Sequence, residues 1–145
     1  MIAAKIGKVL GAWCDSERES AFVVLTSEDE IAAIARVAIG ERHQVAVPLP
    51  ELLRPALVFG ARSLIFAHTH PSGNLGVSTL DMELTRRILD ACGAAGLTLT
   101  DHLIVAPDGR AVSMVAAQML QAPQPRLDIA AVPQYTKALG HTQKG

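Results

Sequence analysis

The sequence is short of aromatic side chains, of cysteine and of net charge, and each shortage removes a class of protein. Aromatics are 3% of the 145 residues although half the chain is hydrophobic, so a core has to be built from Ala, Val, Leu and Ile rather than around an aromatic-rich binding surface. Two cysteines, Cys14 and Cys92, with no CxxC pair, make no disulfide framework and point to a reducing compartment. Thirteen basic and fourteen acidic residues leave a formal charge of −1. With no basic block, the electrostatic footprint of a phosphate-gripping protein is missing, and nucleic acid is not favoured as a partner. No apolar run approaches the ~18 residues of a membrane span, and Met1 to Trp13 has no continuous apolar h-region. The expectation is a soluble, cytoplasmic chain without a membrane partner, of a length that suits one domain.

Glu19 to Thr26 (ESAFVVLT) has the β-branched and aromatic content of a strand. Ser27 to Gly40 is ambiguous. Ser27 and Glu30 fit a helix capping box, yet Ile31, Ala33, Ala35, Val37 and Ile39 alternate as a strand does. Gln44 to Val47 is a brief strand candidate. Pro50 then opens a helix of about ten residues that Gly60 ends, with Pro55 predicted to kink it or mark its first turn. Ser63 to Ala67 reads as a buried strand. From Ser78 to Ala95, Leu80, Leu84, Ile88 and Cys92 recur at helical spacing while Arg86, Arg87 and Asp90 form a solvated face. Leu97 to Ala106 is a further strand, Pro107-Asp108-Gly109 a turn, and Arg110 to Met114 a pairing segment. Three parts are expected: an N-terminal extension over 1–18, a domain over 19–120, and a Pro-containing tail over 121–145, loosely attached or disordered.

Between the buried strand and the clearest helix lies AHTHPSGNLGVSTLD, Ala67 to Asp81. Two histidines two residues apart at a strand end project to one side, so His68 and His70 can bind one ion together. Asp81 sits on the first turn of the following helix, and Gly73 and Gly76 let the loop return it towards them. Three such ligands with a fourth position for water are what a catalytic zinc site uses. The same residues also fit a plainer description. Ser78-Thr79-Leu80-Asp81 matches a capping box, an acid in a helix's first turn is stabilised by the macrodipole, and the two roles are compatible. Asp101 and His102, polar interruptions in an apolar strand, either orient a metal ligand or form a structural hydrogen-bonded pair.

His68-Thr69-His70, the seven residues Pro71 to Val77, then Ser78-x-x-Asp81 resemble the HxHx(7)SxxD signature of the JAMM (JAB/MPN) metalloenzyme family. HTHPSG, PLPELLRPALVFGARSLIFA and LTLTDHLIVAPDGRAVSM are similar to its RadC-like branch, with Thr69 where that branch most often has Asn. The resemblance covers about residues 19 to 115. It implies zinc held by His68, His70 and Asp81, with Glu19 as general base, Glu17 as the rival of the same facing, and Ser78 as donor to the oxyanion. The implied reaction is hydrolysis of a peptide or isopeptide bond, with a peptide or ubiquitin-like protein as substrate, laid as an extended strand beside a sheet edge. The implied fold is an α/β (α+β) domain of JAB/MPN-like (cytidine-deaminase-like) type, a mixed, largely antiparallel sheet flanked by helices, with a strand over Ile31 to Ile39. Two other functions remain open: a catalytically silent MPN-type module that binds a partner, and a RadC-like DNA repair or processing protein, which would want the basic stripe this sequence lacks.

Overall fold

Alternation in the first strand organises the molecule. In β1 (Ser20–Ser27), Ala21, Val23 and Leu25 turn to one face while Phe22 and Val24 turn to the other, and all five are buried. A strand buried on both faces needs a layer on each. The computed structural model, which describes residues 1–40 and 46–120, supplies both. Of the strand expected at Gln44 to Val47, the first two residues lie outside the described residues and Ala46 and Val47 are not in a strand; the tail over 121–145 lies wholly outside.

β1 is an interior strand of a five-stranded sheet of order β2-β1-β3-β4-β5, formed with β2 (Glu30–Ile39), β3 (Ser63–Thr69), β4 (Thr98–Val105) and β5 (Ala111–Ser113). Only the β3–β4 pair is parallel. One face carries α2 (Leu49–Phe59) and α3 (Thr79–Ala94), whose Leu52, Ala56, Ile88 and Cys92 close over Val23, Leu64 and Phe66. The opposite face carries α1 (Ile2–Ala12), whose Ile6 and Leu10 are fully buried against Phe22, Ile65 and Leu103. The segment expected as an extension over 1–18 thus holds a helix that covers half the sheet. Its signal was the i, i+4, i+8 spacing of Ile2, Ile6 and Leu10. Gly7 and Gly11 let α1 approach the Pro107–Gly109 turn: a Cβ on Gly11 would stand 2.7 Å from the Gly109 backbone, and one on Gly7 2.6 Å from its carbonyl oxygen.

The ambiguous segment is a strand. Ser27 pairs with Glu30 across the two-residue loop Glu28-Asp29, so the capping-box pair closes a hairpin instead. The alternation in β2 does not mark one face, however. Register shifts opposite Leu25/Thr26 and Ala21/Phe22 leave Ala32 and Val37 as extra residues. Ile31 and Ile34 therefore pack on the α1 side, while Ala33 and Val37 pack with the α2 and α3 cluster. α2 begins at Leu49 with Pro50 in its first turn, runs through Pro55, and closes on Gly60 at φ +67°. Pro55 thus lies inside the helix, not in its first turn. No helix among the described residues is long and apolar enough to cross a membrane.

Candidate metal centre

Strand geometry continues one residue past β3, because the His70 N–H donates to the Val105 carbonyl at 2.8 Å. His68 and His70 consequently share a side, and their Nε2 atoms stand 2.9 Å apart. Thr69 turns the other way, and its Oγ1 accepts the Ser20 N–H at 3.0 Å. That bond pins the start of β1 and so the preceding residue. Glu19 is 5% exposed, with Oε1 3.9 Å from His68 Nε2 and 3.7 Å from His70 Nε2. Glu17 is not brought to this cluster: it is exposed, and its N–H donates to Asp15 Oδ1 in the preceding turn.

The loop after His70 bends at once. The Gly73 N–H donates to the His70 carbonyl at 3.0 Å, with Gly73 at φ +81°. The bend places the Asn74 carbonyl 2.6 Å from His70 Nδ1. A carbonyl only accepts, so Nδ1 carries the proton and Nε2 presents a bare lone pair. Ser78 then caps α3. Its Oγ accepts the Asp81 N–H at 3.0 Å, and its N–H donates to Asp81 Oδ2 at 2.9 Å. The box fixes the Asp81 carboxylate with Oδ1 3.1 Å from His68 Nε2 and Oδ2 3.7 Å from His70 Nε2. Helix capping and placement beside the histidines are one arrangement.

The donor chemistry fits a divalent cation. Donor atoms of Glu19, His68 and His70 all lie within 4.8 Å of one another, and Asp81 joins them through its contacts to both histidines. Tetrahedral zinc, with bonds of about 2.0–2.1 Å, separates neighbouring ligand atoms by about 3.3 Å. The contacts of the two histidines and Asp81, from 2.9 to 3.7 Å, bracket that value. A cleft lined by Glu19, His70, Pro71, Ser72, Asn74 and Ser78 opens the cluster to solvent.

The two carboxyl groups differ in charge state. Burial pushes Glu19 up to about 7, with the negative charge of Asp81 adding to the shift and His70 opposing it. Burial also pushes Asp81 up, but the nearness of the His68 imidazole and the hydrogen bonds of Ser78 outweigh it and hold Asp81 well below the usual carboxylate range. Burial lowers His68, with the Asp81 carboxylate opposing, and lowers His102 well below the ordinary imidazole value.

Of the strand pair Asp101 and His102, only the second reaches the site. Asp101 accepts from the Ser113 hydroxyl and from the Val115 N–H at 3.1 Å, tying β5 and the next turn to β4. His102, fully buried, brings Nε2 to 2.7 Å from His68 Nδ1 and Nδ1 to 2.6 Å from Thr85 Oγ1. Thr85 escaped the sequence reading. Its signal was a hydroxyl four residues after Asp81 on the buried stripe of α3.

Comparison with known proteins accords with this geometry. A family model described as a RadC-like JAB domain matches residues 4–120, α1 included. A UPF0758 protein of Picosynechococcus sp. is 38% identical over 96 residues, which are 66% of this chain and 39% of that one. A UPF0758 protein of Caldanaerobacter subterraneus is 35% identical over 92 residues, 63% and 39% of the two chains. One of Rubrobacter xylanophilus is 33% identical over 100 residues, 68% and 44%. The matched segment is thus about two-fifths of each relative's length. With the match spanning the sheet, all three helices and every residue of the cluster, the chain belongs to the RadC-like JAB domain family.

Proposed function

We propose that this chain is a zinc-dependent hydrolase of the JAMM type, cleaving a peptide or isopeptide bond with water as the nucleophile. The observation that carries this reading is the convergence of His68, His70, Asp81 and Glu19 at the mouth of an open cleft. His68 Nε2, His70 Nε2 and the Asp81 carboxylate are assigned as ligands and Glu19 as general base, because Asp81 is fixed 3.1 Å from His68 Nε2 by the capping box while Glu19 stands off at 3.7 and 3.9 Å from the two histidines, and burial pushes it towards neutrality in the metal-free chain. An acid held ionised suits permanent ligation, whereas one near neutrality takes up and returns a proton within a cycle. Zinc bound there supplies a Lewis acid that lowers the pKa of water from 15.7 towards about 7.

Glu19 Oε1 accepts the proton of the attacking water and passes it to the leaving amine. The Ser78 Oγ accepts the Asp81 N–H, and its hydroxyl also lies against the Asp81 carboxylate, from which it would turn to donate to the oxyanion. β2 forms one edge of the sheet, and its Ile39 end pairs with Ser20 beside Glu19. An extended peptide added to that edge would run towards the general base. The test is metal content of protein purified without added metal, with peptide, isopeptide and nucleic-acid substrates offered in parallel. About one zinc per chain, lost in His68→Ala together with hydrolysis of a peptide or isopeptide bond, is expected. Substoichiometric metal that the substitution leaves unchanged overturns the reading, and tight zinc without cleavage leaves the partner-binding module in its place.

A further inference from the structure

Behind the assigned ligands lies a line of buried polar atoms that the reaction above does not use. Thr85 Oγ1 donates to the Asp81 carbonyl at 2.8 Å and stands 2.6 Å from His102 Nδ1, and His102 Nε2 stands 2.7 Å from His68 Nδ1. All three side chains are buried, with Thr85 3% exposed and both histidines fully enclosed. Along this line each side-chain polar atom has a neighbour within hydrogen-bond distance, and the last, His68 Nε2, faces His70 Nε2 and Asp81. Contacts this short, in surroundings that include Phe66 edge-on to His102 at 4.9 Å, give each proton of the line a defined place.

A hydroxyl has one proton, and of the two acceptors in reach of Thr85 the Asp81 carbonyl at 2.8 Å outcompetes the Met114 sulfur at 3.6 Å. Towards His102 it therefore accepts, which puts the proton of this neutral imidazole on Nδ1 and leaves Nε2 as an acceptor. His68 must then donate from Nδ1, and its Nε2, the atom facing His70 and Asp81, is left bare. We propose that Thr85 and His102 are positioning residues that hold His68 in the one tautomer able to ligate, and that they join it to Asp81 through the α3 backbone. His70 obtains the same tautomer from a single carbonyl, that of Asn74, on the exposed loop. His68 obtains it through a chain of two side chains that begins and ends at assigned ligands. The proposal rests on the metal-centre reading and adds to it a cause for the identity of two core residues.

The test pairs Thr85→Val, close in shape but without the hydroxyl, with Thr85→Ser, which keeps it. His102→Gln, whose amide oxygen can accept from His68 Nδ1, is paired with His102→Leu. Zinc affinity is measured by competition with a chelator, and imidazole tautomers are read from nitrogen-15 shifts in the metal-free protein. Thr85→Val and His102→Leu are expected to weaken zinc about 10- to 100-fold, with the serine and glutamine variants recovering most of it. The metal-free wild-type chain should show His68 protonated on Nδ1, with that preference reduced in Thr85→Val. Circular dichroism of the metal-free variants identifies any that have lost the fold, and the Val/Ser comparison then decides. Zinc affinity of Thr85→Val within twofold of wild type, or His68 protonated on Nε2 in the wild-type chain, overturns this proposal alone. A wild-type chain with no zinc affinity overturns it together with the metal-centre reading.

Discussion

The two faces of the sheet are built on opposite terms. Beneath α1 the buried set is apolar apart from the Ser20–Thr69 pair at the strand ends, with Ile6 and Leu10 set against Phe22, Val24, Ile65 and Leu103. Beneath α3 the same strands bury His68 and His102, with Thr85 and Asp81 facing them from the helix. Each imidazole buried there displaces an apolar side chain worth about 1.5–3 kcal/mol of transfer free energy, and it also needs partners for both nitrogens. One face supplies cohesion without chemistry, and the other sets the polar cluster at the end of the larger apolar core. Substitutions should therefore sort by surroundings: those beneath α1 act on the stability of the metal-free chain alone, and those in the polar cluster beneath α3 act on zinc and turnover.

The largest effect expected is on turnover. Glu19→Gln keeps the shape and removes the proton acceptor, so kcat should fall about 10²- to 10⁴-fold with zinc content intact. Loss of zinc in this variant would move Glu19 into the ligand set and break the division of roles with Asp81. On the other face, Gly11→Ala forces a Cβ against the Gly109 backbone at 2.7 Å, where no side-chain end can yield. It should cost about 2–3 kcal/mol in urea unfolding, while zinc affinity in the folded fraction stays within threefold. A tenfold loss of affinity would mean that the faces are coupled. Smaller again is the pH effect of Glu19 in the metal-free chain. Its folded pKa of about 7 lies above the ordinary 4.5, so its contribution is fully present below 4.5 and is lost as pH rises through 7. Partly open to solvent, the group should make wild type about 1–2 kcal/mol less stable at pH 8 than Glu19→Gln, a gap that closes at pH 4. A gap independent of pH would place its cause in packing rather than ionisation.

The same contrast explains what the sequence disclosed. The metal cluster was legible because it is local: His68, His70, Ser78 and Asp81 lie on one strand, one loop and one helix turn, where spacing is geometry. Glu19 needed the Thr69–Ser20 bond between distant strands to separate it from Glu17, and no spacing encodes that. His102 was visible as a polar break in a strand, but its partner Thr85 lies on another element, and only the parallel β3–β4 pairing, with Phe66 opposite His102, sets the distance. α1 carried its periodicity openly in Ile2, Ile6 and Leu10, yet the alanines and glycines between them dilute the apolar stripe. Those glycines are legible only once the turn that they fit against is known. In β2 the bulges decide which face each residue joins, and bulges leave no mark in an alternating pattern.

The β1–β2 hairpin offers a substitution that belongs to neither face. Glu28 holds φ +56° in the two-residue loop, a left-handed conformation that costs a residue with a Cβ about 1–2 kcal/mol. Glycine removes that strain but adds roughly 0.5–1 kcal/mol of backbone entropy to the unfolded chain. The net expectation for Glu28→Gly is a gain of about 0.5–1 kcal/mol in urea unfolding, with zinc affinity and turnover unchanged. Because β1 and β2 contribute residues to both clusters, this variant stabilises the shared frame without altering either layer. A change in zinc affinity here would show that the strain in this hairpin is transmitted along β1 to Glu19. The separation of the faces would then fail at the strand they have in common.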